Sequence, residues 1–339
     1  MDLVGWHFRR AVVTGGAGFL GSHLCEELIA RGTSVICVDN LCTGTERNLA
    51  GLRSDPRFEF VAHDIARDAY HVDDVDLVVH LASPASPVDY SRMPLETLRA
   101  GSSGTQHALE LAERNGARFL LASTSEVYGD PLRHPQSEDY WGNVDPVGPR
   151  AVYDEAKRYA EALTSAYGRH RGVATRIARV FNSFGPRMRP DDGRVVSTFV
   201  RQALRDEAIT VHGDGNQTRS LCYVDDTVRG LLAVAAGDRP TPVNIGRPGE
   251  IPVRGLAELV RSLAGSRSPI EHVAAAAGEP RRRCPDITVA ISELGWRPEV
   301  GVVEGLRRTM EWFTADAASG QRRVRAVPGG SRPPRAARS

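Results

Sequence analysis

Residues 11–21 read Ala-Val-Val-Thr-Gly-Gly-Ala-Gly-Phe-Leu-Gly: an apolar run meets glycines at three-residue spacing and passes at once into a helical pattern. A strand must end there, the backbone must reverse, and a helix must begin with its first amides facing the turn. Gly15 permits the tight turn, Gly18 leaves room for a pyrophosphate near the backbone, and Gly21 lets the helix pack on the sheet. Phe19 and Leu20 open that helix and belong to the same candidate site. A second strand, Ser34–Asp39, ends in a carboxylate placed to accept bonds from the hydroxyls of an adenosine ribose. The same charge repels a 2′-phosphate, and no arginine follows in Asn40, Leu41 and Cys42. The spacing therefore predicts NAD rather than NADP.

Further apolar runs extend the pattern. Strands are expected at Arg10–Thr14, Ser34–Asp39, Phe58–His63, Leu77–Leu81, Phe119–Ser123 and Val173–Val180, with helices at Gly18–Arg31, Pro94–Asn115 and Arg150–His170. Strand–helix alternation with β-rich runs predicts an α/β fold, a doubly wound parallel sheet of Rossmann type. After Phe181 short strands (Ile209–His212, Val243–Ile245) and two late helices (Val253–Ala264, Val302–Phe313) indicate a smaller C-terminal lobe. The expected division is 1–180 for the dinucleotide domain, 181–314 mainly for a substrate-binding domain with about 221–246 returning to the sheet, and 315–339 as a disordered arginine-rich tail.

Composition excludes more than it assigns. A net charge of +1 gives no reason to expect nucleic acid or a membrane as partner. The five cysteines (25, 37, 42, 222 and 284) form no CxxC pair or metal-ligand spacing, which predicts reduced thiols, no metal and a cytoplasmic protein. Met1 to Arg10 is too short and too charged to read as a signal peptide, and no apolar run has membrane-spanning length.

The chemistry is expected at Tyr153 and Lys157, set four residues apart on one face of a predicted helix. An ammonium beside a phenol favours the phenolate, so Lys157 is expected to lower the Tyr153 pKa from about 10 and make it a general base. Lys157 also suits a ribose hydroxyl of the cofactor.

The glycines are spaced GxxGxxG, as in short-chain dehydrogenases, and from here the chain resembles the extended branch of that family. The resemblance places Asp64, Ile65, Thr43 and Gly44 with Asn40 and Leu41 around the adenosine, and Leu81, Ala82 and Ser83 beside the nicotinamide. In Leu121-Ala-Ser-Thr-Ser-Glu-Val-Tyr-Gly129 it makes Thr124 the third member of a Thr–Tyr–Lys set and Glu126 a catalytic carboxylate. Nucleotide-sugar 4,6-dehydratases carry an Asp–Glu pair there; Ser125–Glu126 lacks the acid that expels a hydroxyl.

Longer segments are similar to UDP-glucuronic acid decarboxylases: His80-LASPASP-Val88, the HPQSEDYWG stretch 134–142, Gly148-Pro-Arg-Ala-Val-Tyr153, Phe181-NSFGPRM, Asp192-Gly-Arg-Val-Val196, Gln217-Thr-Arg219 and Arg283-Cys-Pro-Asp286. The resemblance covers about residues 10–314. It implies NAD-dependent conversion of UDP-glucuronic acid to UDP-xylose through a 4-keto intermediate, with NAD regenerated each turnover, in a homodimer paired through the helices near 94–115 and 150–170. It implies that Asn182, Arg194 and Arg219 hold the UDP diphosphate, that Arg283, also a catalytic candidate, approaches the sugar and diphosphate, that Arg99 reaches the substrate carboxylate, and that Pro84 and Val195 belong to the substrate site. The run Arg281–Arg283 leaves the register of the key arginine open by one residue, and Ala100-Gly-Ser102 departs from the Thr-Asn-Thr common in relatives. A 4-epimerase, a 4,6-dehydratase and a catalytically idle NAD-binding sensor are the alternative readings.

Overall fold

A computed structural model describes residues 7–275 and 281–325. The chain runs β1 (Arg10–Thr14), α1 (Phe19–Ala30), β2 (Ser34–Asp39), β3 (Phe58–Ala62), β4 (Leu77–His80), α2 (Pro87–Arg92), α3 (Pro94–Arg99), α4 (Thr105–Asn115), β5 (Arg118–Thr124), α5 (Ala151–Arg171), β6 (Thr175–Val180) and β7 (Ser183–Phe184). It continues α6 (Val195–Leu204), β8 (Ile209–His212), β9 (Thr218–Ser220), β10 (Cys222–Tyr223), α7 (Val224–Ala236), β11 (Val243–Ile245), β12 (Glu250–Pro252), α8 (Val253–Leu263), β13 (Ile270–Val273), α9 (Thr288–Leu294) and α10 (Val302–Arg325).

Seven parallel strands form the main sheet in the order β11-β6-β5-β4-β1-β2-β3. The period-2 alternation of a sheet covered on both faces is visible strand by strand. Val13, Cys37, Val79 and Leu120 share one core with Leu24 and Leu28 of α1 and Leu231 of α7. Val12, Ile36, Val78, Phe119 and Leu121 share the other with Leu109 and Ala112 of α4 and Ala160 of α5. The strand order reverses between β1 and β4, and a cleft opens beyond their carboxyl ends, where such sheets bind ligands.

The smaller lobe is held by short pairings: β8 with β13, β9 with β12 and β7 with β10. Between them the chain returns to the main sheet, where Val243–Ile245 pairs with Ala178–Val180. Among the described residues no helix is long and apolar enough to cross a membrane.

One expectation is refined and one corrected. The helix expected over 94–115 has those bounds, but Ala100–Gly104 forms a π-helical turn between α3 and α4. Gly101 lies so close to α5 that a Cβ there would come within 2.7 Å of the Ala156 Cβ, so α5 packs against bare backbone. The tail expected to be disordered from 315 is helical through Arg325, in continuation of α10. Residues 326–339 lie outside the described residues.

Candidate active site

One cleft of about 550 Å³ takes in nearly every residue singled out from the sequence. The exceptions are Leu41 and Gly44, which stand behind its wall. Leu41 adopts a left-handed backbone (φ 60°) that turns its amide back onto Asp39 Oδ1 at 2.7 Å. Gly44 sits against the same carboxylate, 3.0 Å from both oxygens if it carried a Cβ. They shape Asp39 rather than face a ligand.

The glycine turn does what its spacing demands, by different means at each position. Gly15 has φ +72°, and a Cβ there would meet the Ala82 backbone at 2.7 Å. Gly21 would drive a Cβ to 2.7 Å from the Gly16 Cα. Gly18 differs, since a Cβ would touch only the Gly15 carbonyl oxygen at 3.2 Å and otherwise fill the cleft. Its missing side chain therefore leaves space for a ligand. Asp39 is buried and accepts from the Ala17 amide at 3.0 Å and the Leu41 amide at 2.7 Å. Burial pushes its pKa up while these two bonds pull it down. Each carboxylate oxygen keeps a free lone pair for a ribose hydroxyl. Asp64 lines the same end and accepts from the Ala66 amide at 3.0 Å.

On the other side of the turn, Ser83 carries a buried hydroxyl with no hydrogen-bond partner, a polar atom that a polar ligand would satisfy. His80 is fully buried, and burial together with the Lys157 charge lowers its pKa to about 3. Neutral imidazole ties Thr14 Oγ1, 2.7 Å from Nδ1, to the backbone of Ala100. That bond anchors the π-helical turn to the end of β4. The open Gly18, the unpartnered Ser83 and the paired acceptors of Asp39 together fit a dinucleotide cofactor.

Strand β5 delivers Thr124, and α5 delivers Tyr153 and Lys157. Thr124 hydrogen-bonds the Tyr153 phenol. The expected effect of Lys157 on that phenol is absent, and this is a correction. The Lys157 ammonium donates to the Ala122 carbonyl at 2.8 Å instead. Burial raises the Tyr153 pKa, and the negative charge of Glu126 raises it further against a smaller opposing pull from Arg194. Burial also brings Lys157 down to about 8. In this cleft the phenol is protonated at neutral pH.

Glu126 lies between two arginines. Burial opposes its charge, but Arg283 and then Arg150 overcome that and hold its pKa at about 2. Arg283 Nη1 donates to Oε1, and Arg150 Nη2 donates to Oε2 at 2.7 Å. Of the run 281–283, Arg283 enters the cleft while Arg282 turns away to Glu250.

Sequence reasoning missed Arg150 and Tyr90. Arg150 caps the N-terminal end of α5 and lies 5.9 Å from the centroid of the Tyr90 ring. Tyr90 in turn stacks on Tyr153, with centroids 5.4 Å apart and planes 10° from parallel. Burial pushes the Tyr90 pKa up to about 12, so it serves as a neutral wall for the catalytic phenol. The signals were present in Gly148-Pro-Arg150 and in Val88-Asp-Tyr90, but neither spacing reveals a contact that only the fold creates. Arg99, Arg194, Arg219 and Arg283 line the same cleft with Asn182 and Pro84, and Val195 begins α6 with its N-terminal end toward it. Such convergence of guanidinium groups favours a multiply charged anion.

Comparison with known proteins gives the same picture. Residues 11–246 match the model of the NAD dependent epimerase/dehydratase family. The chain is 52% identical over 304 residues to UDP-glucuronic acid decarboxylase 1 of Arabidopsis thaliana, covering 90% of this chain and 69% of that one. It is 49% identical over 308 residues to UDP-glucuronic acid decarboxylase 1 of Danio rerio, covering 91% and 73%. The structure of UDP-glucuronic acid 4-epimerase from Bacillus cereus in complex with UDP-glucuronic acid and NAD superposes with a TM-score of 0.80 at 28% identity, over 90% of this chain and 99% of that one. The chain belongs to the NAD dependent epimerase/dehydratase family and, within it, to the UDP-glucuronic acid decarboxylases.

Proposed function

We propose that this protein converts UDP-glucuronic acid to UDP-xylose and carbon dioxide in the cleft at the ends of β1 and β4. The observation that carries this reading is the Arg150–Glu126–Arg283 clamp set beside Thr124 and Tyr153. It supplies cations next to the site of hydride transfer without the aspartic acid that a dehydratase places before its glutamate. A sugar carboxylate suits such a site.

Asp39 and the glycine turn would hold NAD, which when bound would supply a reversible hydride acceptor for sugar C4. Arg194 and Arg219 hold the diphosphate with Asn182, aided by the N-terminal amides of α6. Tyr153, in the ionised fraction that grows as pH rises, takes the C4 hydroxyl proton while Thr124 fixes the oxygen. The 4-keto acid that results has its carboxylate two carbons from the new carbonyl, so the C5–carboxylate bond breaks and its electron pair moves onto O4. Thr124 and Tyr153 donate to that oxygen as its charge grows. Glu126 remains ionised beside its two arginines and orients the water that protonates C5. Arg283 and Arg150 hold the departing carboxylate, with Arg99 at the outer edge of the cleft.

Two further readings go with this one. The protein is a homodimer paired through α3 to α5, a face that exposes Leu95, Leu98 and Tyr159. Its five cysteines are free and four are buried, which suits the cytoplasm. The test is substrate-dependent gas release. Carbon dioxide from UDP-glucuronic acid, with UDP-glucose left unchanged, supports the decarboxylase. Epimerised UDP-glucuronic acid without carbon dioxide would replace it with the epimerase reading.

A further inference from the structure

Behind the cleft, three ligand-bearing side chains from distant parts of the chain meet. His134, Glu250 and Cys284 each offer one ligand atom, and these atoms lie within 4.8 Å of one another. His134 Nε2 is 2.9 Å from Glu250 Oε2. A cation already stands among them, because Arg282 Nη2 donates to His134 Nε2 at 2.8 Å and to Glu250 Oε2 at 3.1 Å. Nε2 is thus the imidazole atom turned toward both the guanidinium and the carboxylate, and an imidazole nitrogen is a common metal ligand. The Arg282 side chain is 57% exposed and free to swing outward.

The remaining ligands are held in place. Cys284 is buried, and its backbone is fixed by Gln136, whose amide donates to the Cys284 carbonyl at 2.9 Å and whose Oε1 accepts from the Cys284 amide at 2.9 Å. Gln136 is two residues from His134, so the same bonds set the spacing of sulfur and imidazole. Glu250 accepts from the Thr218 hydroxyl.

We propose that His134, Glu250 and Cys284 form a site for a thiophilic divalent cation of the zinc class, which enters in exchange for the Arg282 guanidinium. Nitrogen, oxygen and sulfur donors are the set that zinc accepts, with water as a fourth ligand. Bonds of about 2.0–2.3 Å put tetrahedral ligands about 3.3–3.8 Å apart, so the widest pair closes by about 1.5 Å at most while the His134–Glu250 pair, at 2.9 Å, opens by about 0.4 Å or more. On binding, the Cys284 thiol gives its proton to solvent, and bonds form from the metal to Sγ, Nε2 and a carboxylate oxygen. No electron is transferred. The site adjoins the cleft, since Cys284 follows Arg283, and Ile251, next to Glu250, pairs with Arg219 across β12 and β9. An ion here would fix the backbone positions of two arginines that line the cleft.

The test uses the full chain stripped with a chelator. Zn2+ is titrated against a chromophoric competitor, and Co2+ is used to look for a thiolate-to-metal charge-transfer band. One equivalent bound, with that band, is the expected result. Cys284→Ser should abolish the band, and His134→Ala should weaken binding about tenfold or more. Arg282→Ala, at an exposed position that threatens no fold, should tighten binding about tenfold by removing the competing cation. No stoichiometric binding, a band that survives Cys284→Ser, or weaker binding in Arg282→Ala would each overturn the proposal.

Discussion

Replacing Glu126 by Gln removes one negative charge from between two arginines and keeps the shape of the side chain. The folded carboxyl sits at about 2 against an ordinary value of 4.5, which corresponds to ~3 kcal/mol of stabilisation at neutral pH. Breaking a buried ion pair from one side costs a similar ~3–5 kcal/mol. For a chain of 339 residues, ~3 kcal/mol lowers the melting temperature by about 4 °C. The sign follows from a depressed carboxylate. The contribution is present above about pH 4.5 and fades as pH falls toward 2, so the melting gap between the two proteins should close on acidification. The kinetic effect splits. Glu126 is the main charge raising the Tyr153 pKa, so its removal leaves more of the phenol ionised at a given pH, and single-turnover NADH formation should stay within about threefold of normal. Carbon dioxide release and C5 protonation should slow by about a hundredfold or more. Stopped-flow absorbance and quenched carbon dioxide counting measure the two steps on one sample. Equal loss of both would refute the assignment of Glu126 to the later steps.

Tyr153→Phe should cut NADH formation by about 10²–10⁴-fold while NAD affinity, read by quenching of protein fluorescence, stays unchanged. In the unaltered enzyme the oxidation rate should climb with pH between 7 and 9, because the base is a phenol whose pKa is raised by burial; a flat stopped-flow profile would contradict this. Asp154 is buried with one carboxylate oxygen unpartnered, and burial followed by the Glu126 charge raises it from 3.8 to about 7. A raised carboxylate favours the folded state less as pH climbs through that window, so Asp154→Asn should stabilise the protein by up to ~4 kcal/mol at pH 8 and by progressively less toward pH 4 in denaturant titrations. Asp39→Asn should reduce the preference for NAD over NADP by about 10–100-fold, measured as the ratio of dissociation constants.

The sequence carried the sheet well because its strands are apolar on both faces. Arg10–Thr14, Ser34–Asp39 and Val243–Ile245 have the expected bounds, since buried strands stop where polar or glycine residues begin. The cofactor end was legible for a related reason: Gly15 and Gly21 are dictated by backbone clashes within one short segment. The two- and three-residue strands β7, β9, β10 and β12 left no such trace, because each exists only through its partner. The π-helical turn at Ala100–Gly104 was hidden likewise, since Gly101 there meets Ala156, fifty-five residues away. At the catalytic centre, four-residue spacing placed Tyr153 and Lys157 in one cleft. It could not show that the Ala122 carbonyl claims the ammonium or that Glu126 dominates the phenol. Electrostatic roles depend on burial and distant partners, and Arg150 and Tyr90 were overlooked for the same reason.

The central claim concerns what happens at C4 and C5 of the sugar. The most direct measurement is proton and carbon NMR of the purified protein with UDP-glucuronic acid in deuterium oxide, with NAD present in catalytic amount. The account predicts UDP-xylose bearing deuterium at C5, one carbon dioxide per sugar and no net NADH. Turnover without carbon dioxide, or UDP-xylose lacking deuterium at C5, would contradict it.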